Sequence, residues 1–102
     1  MTVFVTVWEY EVRPGAEPAF EALYGADGAW VALFRDQPGY LRTKLLRGER
    51  PGHYLTLDYW RSAQDYTVFH AAEQPRYAEL DARGDALTRA ERHLGMFTID
   101  AG

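Results

Sequence analysis

Residues 54–66 read YLTLDYWRSAQDY. In an extended chain side chains alternate between two faces. Tyr54, Thr56, Asp58 and Trp60 then point one way, and Leu55, Leu57 and Tyr59 the other, together with His53 before them. The strand runs from His53 to Trp60 and stops abruptly. Ser62 follows as a helix cap, with Asp65 three residues on as a variant of the capping box. Tyr66 and Phe69 are three apart and share one side of that helix. A two-faced strand therefore leads directly into a capped helix.

Working backwards, Gly48 to Gly52, with Pro51, is a five-residue hairpin loop, and Tyr40 to Arg47 is the strand before it. Pro38-Gly39 marks the turn that precedes this hairpin. Further upstream, Val3 to Val12 reads VFVTVWEYEV, apolar on both sides for most of its length, as in a strand covered on both faces. Arg13-Pro14-Gly15 ends it. Between these strands, Glu17 to Tyr24 carries Ala19, Phe20, Leu23 and Tyr24 on one helical stripe. Gly25 to Gly28 interrupts the helix, and Asp27 is expected to cap a second piece bearing Trp30, Val31 and Phe34.

Working forwards, Glu73-Gln74-Pro75 is expected to break the helix that began at Ser62. Another helix runs from Arg76 to Ala86 with Tyr77 and Leu80 inward. Thr88-Arg89-Ala90-Glu91 reads as a second capping box opening a short helical turn, and Met96 to Ile99 as a last short strand. The order is β-α-β-β-α-β, a split βαβ arrangement. The fold class expected is α+β: a ferredoxin-like antiparallel sheet with helices on one face, spanning residues 1–102 as a single domain. The other face would carry Val3, Val5, Val7, Leu55, Leu57 and Tyr59. An apolar patch of that extent marks an interface. Two such sheets packed face to face would form a dimeric α+β barrel, so a homodimer is expected.

The bulk properties narrow the function. The chain has 102 residues and no cysteine, which excludes disulfides, Cys₄ zinc sites, iron–sulfur clusters and a cysteine nucleophile. A net charge of −4 and a pI near 5.3 argue against nucleic-acid binding, which needs a basic face. The start of the chain lacks a signal-peptide pattern and no apolar run is long enough to cross a bilayer, so a soluble, cytoplasmic protein without membrane contacts is expected. Aromatic residues make up 15% of the chain, enough either to fill the core or to line a pocket. No HxxxH, HExxH, GxGxxG or GxxxxGK[ST] pattern is present, so neither a metal nor a bound cofactor is expected.

Asp58 is the leading candidate for chemistry. It shares a strand face with Tyr54, Thr56 and Trp60, and a carboxylate among aromatics is a stronger base because desolvation disfavours its charge. The competing reading pairs it with Arg61. Tyr66 is placed to donate a hydrogen bond to a substrate oxygen, or else is core with its hydroxyl at the rim. His70 would border the pocket mouth. His53 reads as a turn residue and His93 as surface.

Three segments together give a resemblance: EVRPG at Glu11 to Gly15, PGY at Pro38 to Tyr40, and the Tyr54 to Tyr66 block. They resemble the antibiotic biosynthesis monooxygenase family, a branch of the dimeric α+β barrel superfamily. The resemblance implies a pocket between sheet and helices in each subunit. Family oxygenases use no metal or flavin there and oxidise phenolic, quinol or anthrone-like substrates with molecular oxygen. Trp60 and Tyr66 match the tryptophan closing strand three and the tyrosine of the next helix. Thr56 stands where polyketide-oxidising members have asparagine, Asp81 where they have arginine, and Leu46 where they have histidine. The haem-degrading branch needs an iron-binding histidine where Glu79 stands; its pocket asparagine aligns with Trp8 and its pocket tryptophan with Phe69. The site expected is thus Asp58 and Tyr66 as catalytic groups, with Trp8, Tyr54, Thr56, Trp60, Phe69 and His70 around a small aromatic substrate. Two other readings fit the same fold: a non-catalytic binding or structural module, and a cofactor-free isomerase, cyclase or decarboxylase.

Overall fold

The structure, a computed structural model, describes residues 1–72 and 75–100. Four strands, β1 (Thr2–Val12), β2 (Tyr40–Arg47), β3 (His53–Trp60) and β4 (Thr88–Asp100), form one antiparallel sheet in the order β2-β3-β1-β4. Four helices pack on one face: α1 (Glu17–Tyr24), α2 (Ala29–Phe34), α3 (Ala63–Ala71) and α4 (Pro75–Leu87). This is the ferredoxin-like α+β arrangement. Among the described residues no helix is long and apolar enough to cross a membrane.

The alternation in β3 places its residues as expected. Tyr54 and Trp60 join the core beneath the helices with Phe20, Leu23 and Tyr24 of α1, Trp30 and Phe34 of α2, Phe69 of α3 and Leu80 of α4. Ser62 caps α3, its Oγ accepting from the Asp65 amide at 3.1 Å. The break expected at Glu73-Gln74-Pro75 falls partly on residues 73 and 74, outside the described ones; Pro75 opens α4. Proline suits that place because a first-turn amide has no helical acceptor.

Two local expectations are corrected. Asp27 does not cap α2. Gly28 is the N-cap and Asp27 is exposed. The chain turns so tightly here that a Cβ on Gly28 would lie 2.5 Å from the Leu23 carbonyl oxygen. The second correction is at Thr88. No helical turn begins there; the whole segment to Asp100 is strand, paired with β1 from Thr88↔Val12 to Asp100↔Thr2. Thr88 Oγ1 instead turns back to the Gly84 carbonyl at 3.3 Å, finishing α4. A local capping pattern carries no information about the free edge of β1, whose full length recruits β4.

The face away from the helices also differs in detail. Val3, Val5 and Tyr59 do not face water: they are already buried within one chain, clustered with Val7 and Leu57. The long β4 sets Ile99 beside Val3 and Phe97 beside Val5 on that face. The Arg42 guanidinium lies over the Tyr59 ring, 4.5 Å from its centre. What remains open is Phe97, Ile99 and Leu46, each 43–52% exposed.

Candidate functional site

Between sheet and helices lies a cavity whose walls come from nearly every element. β1 contributes Trp8 and Tyr10, β2 Thr43, and β3 Thr56 and Asp58. Tyr24, Trp30 and Phe34 enter from α1 and α2, and Tyr66 and Phe69 from α3. Tyr77 and Asp81 of α4 and Glu91 of β4 complete it. The cavity volume is about 50 Å³, and the cavity opens to solvent. A cavity of that volume holds a few water molecules, so an aromatic ligand needs a wall side chain to move.

Asp58 is the buried charge of this cavity. It is 8% exposed, and Oδ1 accepts a 2.6 Å hydrogen bond from Thr43 Oγ1. Thr43 Oγ1 also lies 2.8 Å from the Tyr40 hydroxyl. A threonine hydroxyl has a single proton. If Thr43 donates to Asp58, Tyr40 must donate to Thr43, which fixes the direction of the chain Tyr40→Thr43→Asp58. Burial pushes the Asp58 carboxyl up to about 6, against the Thr43 bond, which lowers it. Arg61 does not neutralise Asp58; it lies 3.7 Å from Asp65.

Tyr66 faces the same space, its phenol pushed up by burial. It therefore keeps its proton near neutrality and remains a hydrogen-bond donor. Thr6, opposite Asp58 in β1, is buried, and its Oγ1 lies 2.8 Å from His93 Nε2. His93 is exposed as expected, yet its ring stacks on Trp8 at 4.6 Å, so it also supports the cavity wall from outside.

Of the residues expected at the site, the structure brings Trp8, Thr56, Asp58, Tyr66 and Phe69 to the cavity. Tyr54, Trp60 and His70 are placed elsewhere. Tyr54 is on the right face but four residues from Asp58, about 13 Å along a strand. Its hydroxyl donates to Glu21 Oε2 at 2.5 Å, where Arg47 also grips Glu21 with two hydrogen bonds of 2.9 and 2.6 Å. Trp60 is fully buried behind the wall, edge-on to Phe34, Tyr40 and Tyr66, and its indole Nε1 has no partner among the described residues. His70 is exposed and packs against the outer faces of Tyr66 and Tyr77, with ring centres 5.7 and 5.5 Å away.

Several wall residues were not anticipated. Thr43 was hidden by a one-residue offset in register: counting back from a five-residue loop pairs Arg47 with His53 and Arg42 with Asp58, whereas Arg47 pairs with Tyr54 and Thr43 with Asp58. Tyr10, Tyr24, Trp30, Phe34 and Tyr77 carry no local signal that separates wall from core. Asp81 and Glu91 depend on how α4 and β4 meet. With Asp85 they form a group of carboxylates whose oxygens lie within 4.8 Å of one another. Burial first, and then Asp85, pushes both Asp81 and Glu91 upward.

The antibiotic biosynthesis monooxygenase family matches residues 3–79. Among solved structures, SnoaB, a cofactor-independent oxygenase from Streptomyces nogalater, aligns with a TM-score of 0.80 at 25% identity, covering 100% of this chain and 97% of that one. ActVA-Orf6, a monooxygenase of Streptomyces coelicolor seen in complex with nanaomycin D, gives 0.73 at 23%, covering 97% and 87%. Rv0793 from Mycobacterium tuberculosis gives 0.67 at 20%, covering 99% and 95%. The last two likenesses bear on fold alone. The curated proteins give no match. The family match runs from β1 into α4 and takes in both Asp58 and Tyr66, so the chain belongs to the antibiotic biosynthesis monooxygenase family.

Proposed function

We propose that this protein is a cofactor-independent monooxygenase that oxidises a small phenolic, quinol or anthrone-like aromatic with molecular oxygen. The observation that carries this is Asp58: a buried carboxylate, titrating near 6, at the wall of an aromatic cavity. The family and the likeness to SnoaB support the reaction class.

In this reading the substrate's acidic O–H or C–H lies against Asp58, which removes the proton. A base whose pKa lies near the working pH combines basicity with a useful ionised fraction. The electron-rich anion then transfers an electron to oxygen. For an anthrone-like carbon, one oxygen atom ends as the new carbonyl. The other leaves as water with the two hydrogens lost from that carbon. Tyr66 donates a hydrogen bond to the substrate oxygen, and the aromatic wall keeps bulk water from the anion.

Oxygen uptake with a panel of quinols and anthrones tests the proposal, wild type beside Asp58→Asn. Substrate-dependent uptake that the variant loses supports it. Robust uptake that Asp58→Asn leaves intact removes Asp58 from the mechanism. The small cavity volume favours a second reading, a module whose interior is filled by its own rings, and absence of uptake with every substrate would select it.

A further inference from the structure

We infer that the cavity takes an aromatic ligand bearing a positive charge, such as an amine-substituted ring, and rejects ligands bearing a carboxylate. The inference rests on the cavity being a ligand site, and it concerns which charge that ligand carries.

Every ionisable side chain in the wall other than the tyrosines is acidic. Asp58 lies inside, Asp81 and Glu91 line the space with it, and Asp85 stands beside them. Among the described residues no arginine, lysine or histidine lines the cavity. None of these four carboxylates forms an ion pair with a described residue, although six ion pairs form elsewhere. An uncompensated carboxylate against apolar walls is unfavourable, and a ligand cation relieves it.

The aromatic part of the wall favours the same ligand, and one donor asks that it also carry an acceptor or a π-face. Trp8, Trp30, Tyr66 and Tyr77 present aromatic rings to the space, and ring faces carry a negative quadrupole that attracts ammonium groups. Trp30 offers a separate sign that something is missing. It belongs to the wall, is 8% exposed, and its buried indole Nε1–H makes no well-formed hydrogen bond among the described residues, the Tyr24 side chain being its nearest polar neighbour. Buried donors of this kind are rarely left unpaired, and a ligand oxygen or π-face within the cavity would satisfy it. A bound anion would find the Trp30 N–H and the tyrosine and threonine hydroxyls as donors but would stand against Asp58, Asp81 and Glu91 with no cationic side chain among the described lining residues. The one potentially cationic group that acts on Asp81 is His70, which is exposed and outside the wall.

The test is calorimetric titration at neutral pH with three matched probes: 1-naphthylmethylammonium, 1-naphthol and 1-naphthoate. EDTA is present throughout, so that a divalent cation seated on Asp81, Asp85 and Glu91 does not mediate binding. The ammonium probe is expected to bind about tenfold or more tighter than naphthoate, with naphthol between. The double variant Asp81→Asn/Glu91→Gln should bring the two charged probes within about threefold of each other. Glu91→Gln alone, at an exposed strand position, should move the ratio in the same direction if the double variant does not fold. Glu49→Gln, in the hairpin loop, should leave the ratio unchanged. Equal affinities, a preference for naphthoate, a ratio the cavity variants do not alter, or no binding of any probe would overturn the inference. Binding reads charge preference and oxygen uptake reads turnover, so uptake of a neutral quinol without ammonium preference would sink this inference and leave the proposed reaction standing.

Discussion

Folded Asp58 keeps its proton up to about 6, whereas the ordinary aspartate value is 3.8. The folded state therefore binds the proton more tightly than the unfolded one. Its contribution is fully present below about 4 and is lost as pH rises to about 6, roughly 3 kcal/mol in all. Asp58→Asn removes that penalty and keeps an oxygen to accept from Thr43. Urea unfolding at pH 7 should show the variant equal to wild type or more stable by up to about 3 kcal/mol, while oxygen uptake falls about a hundredfold or more. Wild-type turnover should rise with pH to a plateau above about 6, because only the ionised carboxylate accepts a proton. A flat profile across that range would exclude Asp58 as the base. Trp60 answers differently. It is fully buried behind the wall, so Trp60→Ala should lower stability by roughly 3–5 kcal/mol and reduce folded protein in the same urea experiment. The alternation of β3 was enough to put Asp58 and Trp60 on the helix-facing side. It was not enough to tell wall from core, because that depends on which rings reach between them.

At the level of elements, what was legible followed from local chemistry. The Ser62 cap, the five-residue hairpin loop and the apolar stripe of α1 each announce themselves within a few residues, and each forms, except that Ala19 of the stripe is exposed while Phe20, Leu23 and Tyr24 are buried. Asp27 and Thr88 look equally good locally and fail, because a close backbone approach decides one and a free strand edge the other. The same partnership of distant elements explains Gly84. It is buried in α4, and a Cβ there would lie 2.0 Å from the Tyr24 hydroxyl of α1. Its smallness lets α4 close over the cavity. Gly84→Ala gains helix propensity yet should destabilise the protein by about 1–3 kcal/mol through overpacking. A thermal melt at or above the wild-type midpoint would contradict this.

For the molecule as a whole, the helix-free face of the sheet is the open question that size makes pressing. A chain this short buries only about two thirds of its unfolded surface. Phe97 and Ile99 are about half exposed there beside the buried Val3, Val5 and Tyr59. We expect a homodimer through this face, with about 2,000 Å² or more buried if it is obligate. Light scattering at micromolar concentration should give twice the chain mass, and Phe97→Glu or Leu57→Glu should give a monomer or an unfolded chain. A wild-type monomer would refute the pairing. The alternation of β1 and β3 points to this face; Phe97 and Ile99 lie inside the expected Met96 to Ile99 strand, and what the sequence does not show is the pairing with β1 that sets them beside Val5 and Val3.

That strand lies at one edge of the sheet, so one side of its backbone has no strand neighbour among the described residues. Its first half is guarded by Arg89, Glu91 and Arg92, and by a register shift against β1. Beyond these, Leu94-Gly95-Met96-Phe97-Thr98-Ile99 has neither charge nor proline before the strand closes on Asp100. Uncharged, apolar edge segments template the addition of further strands. Conditions that separate or loosen the chains should therefore lead to fibrils or precipitate seeded at residues 94–99. A lysine at Thr98 should raise solubility of the dissociated chain more than any change to the core.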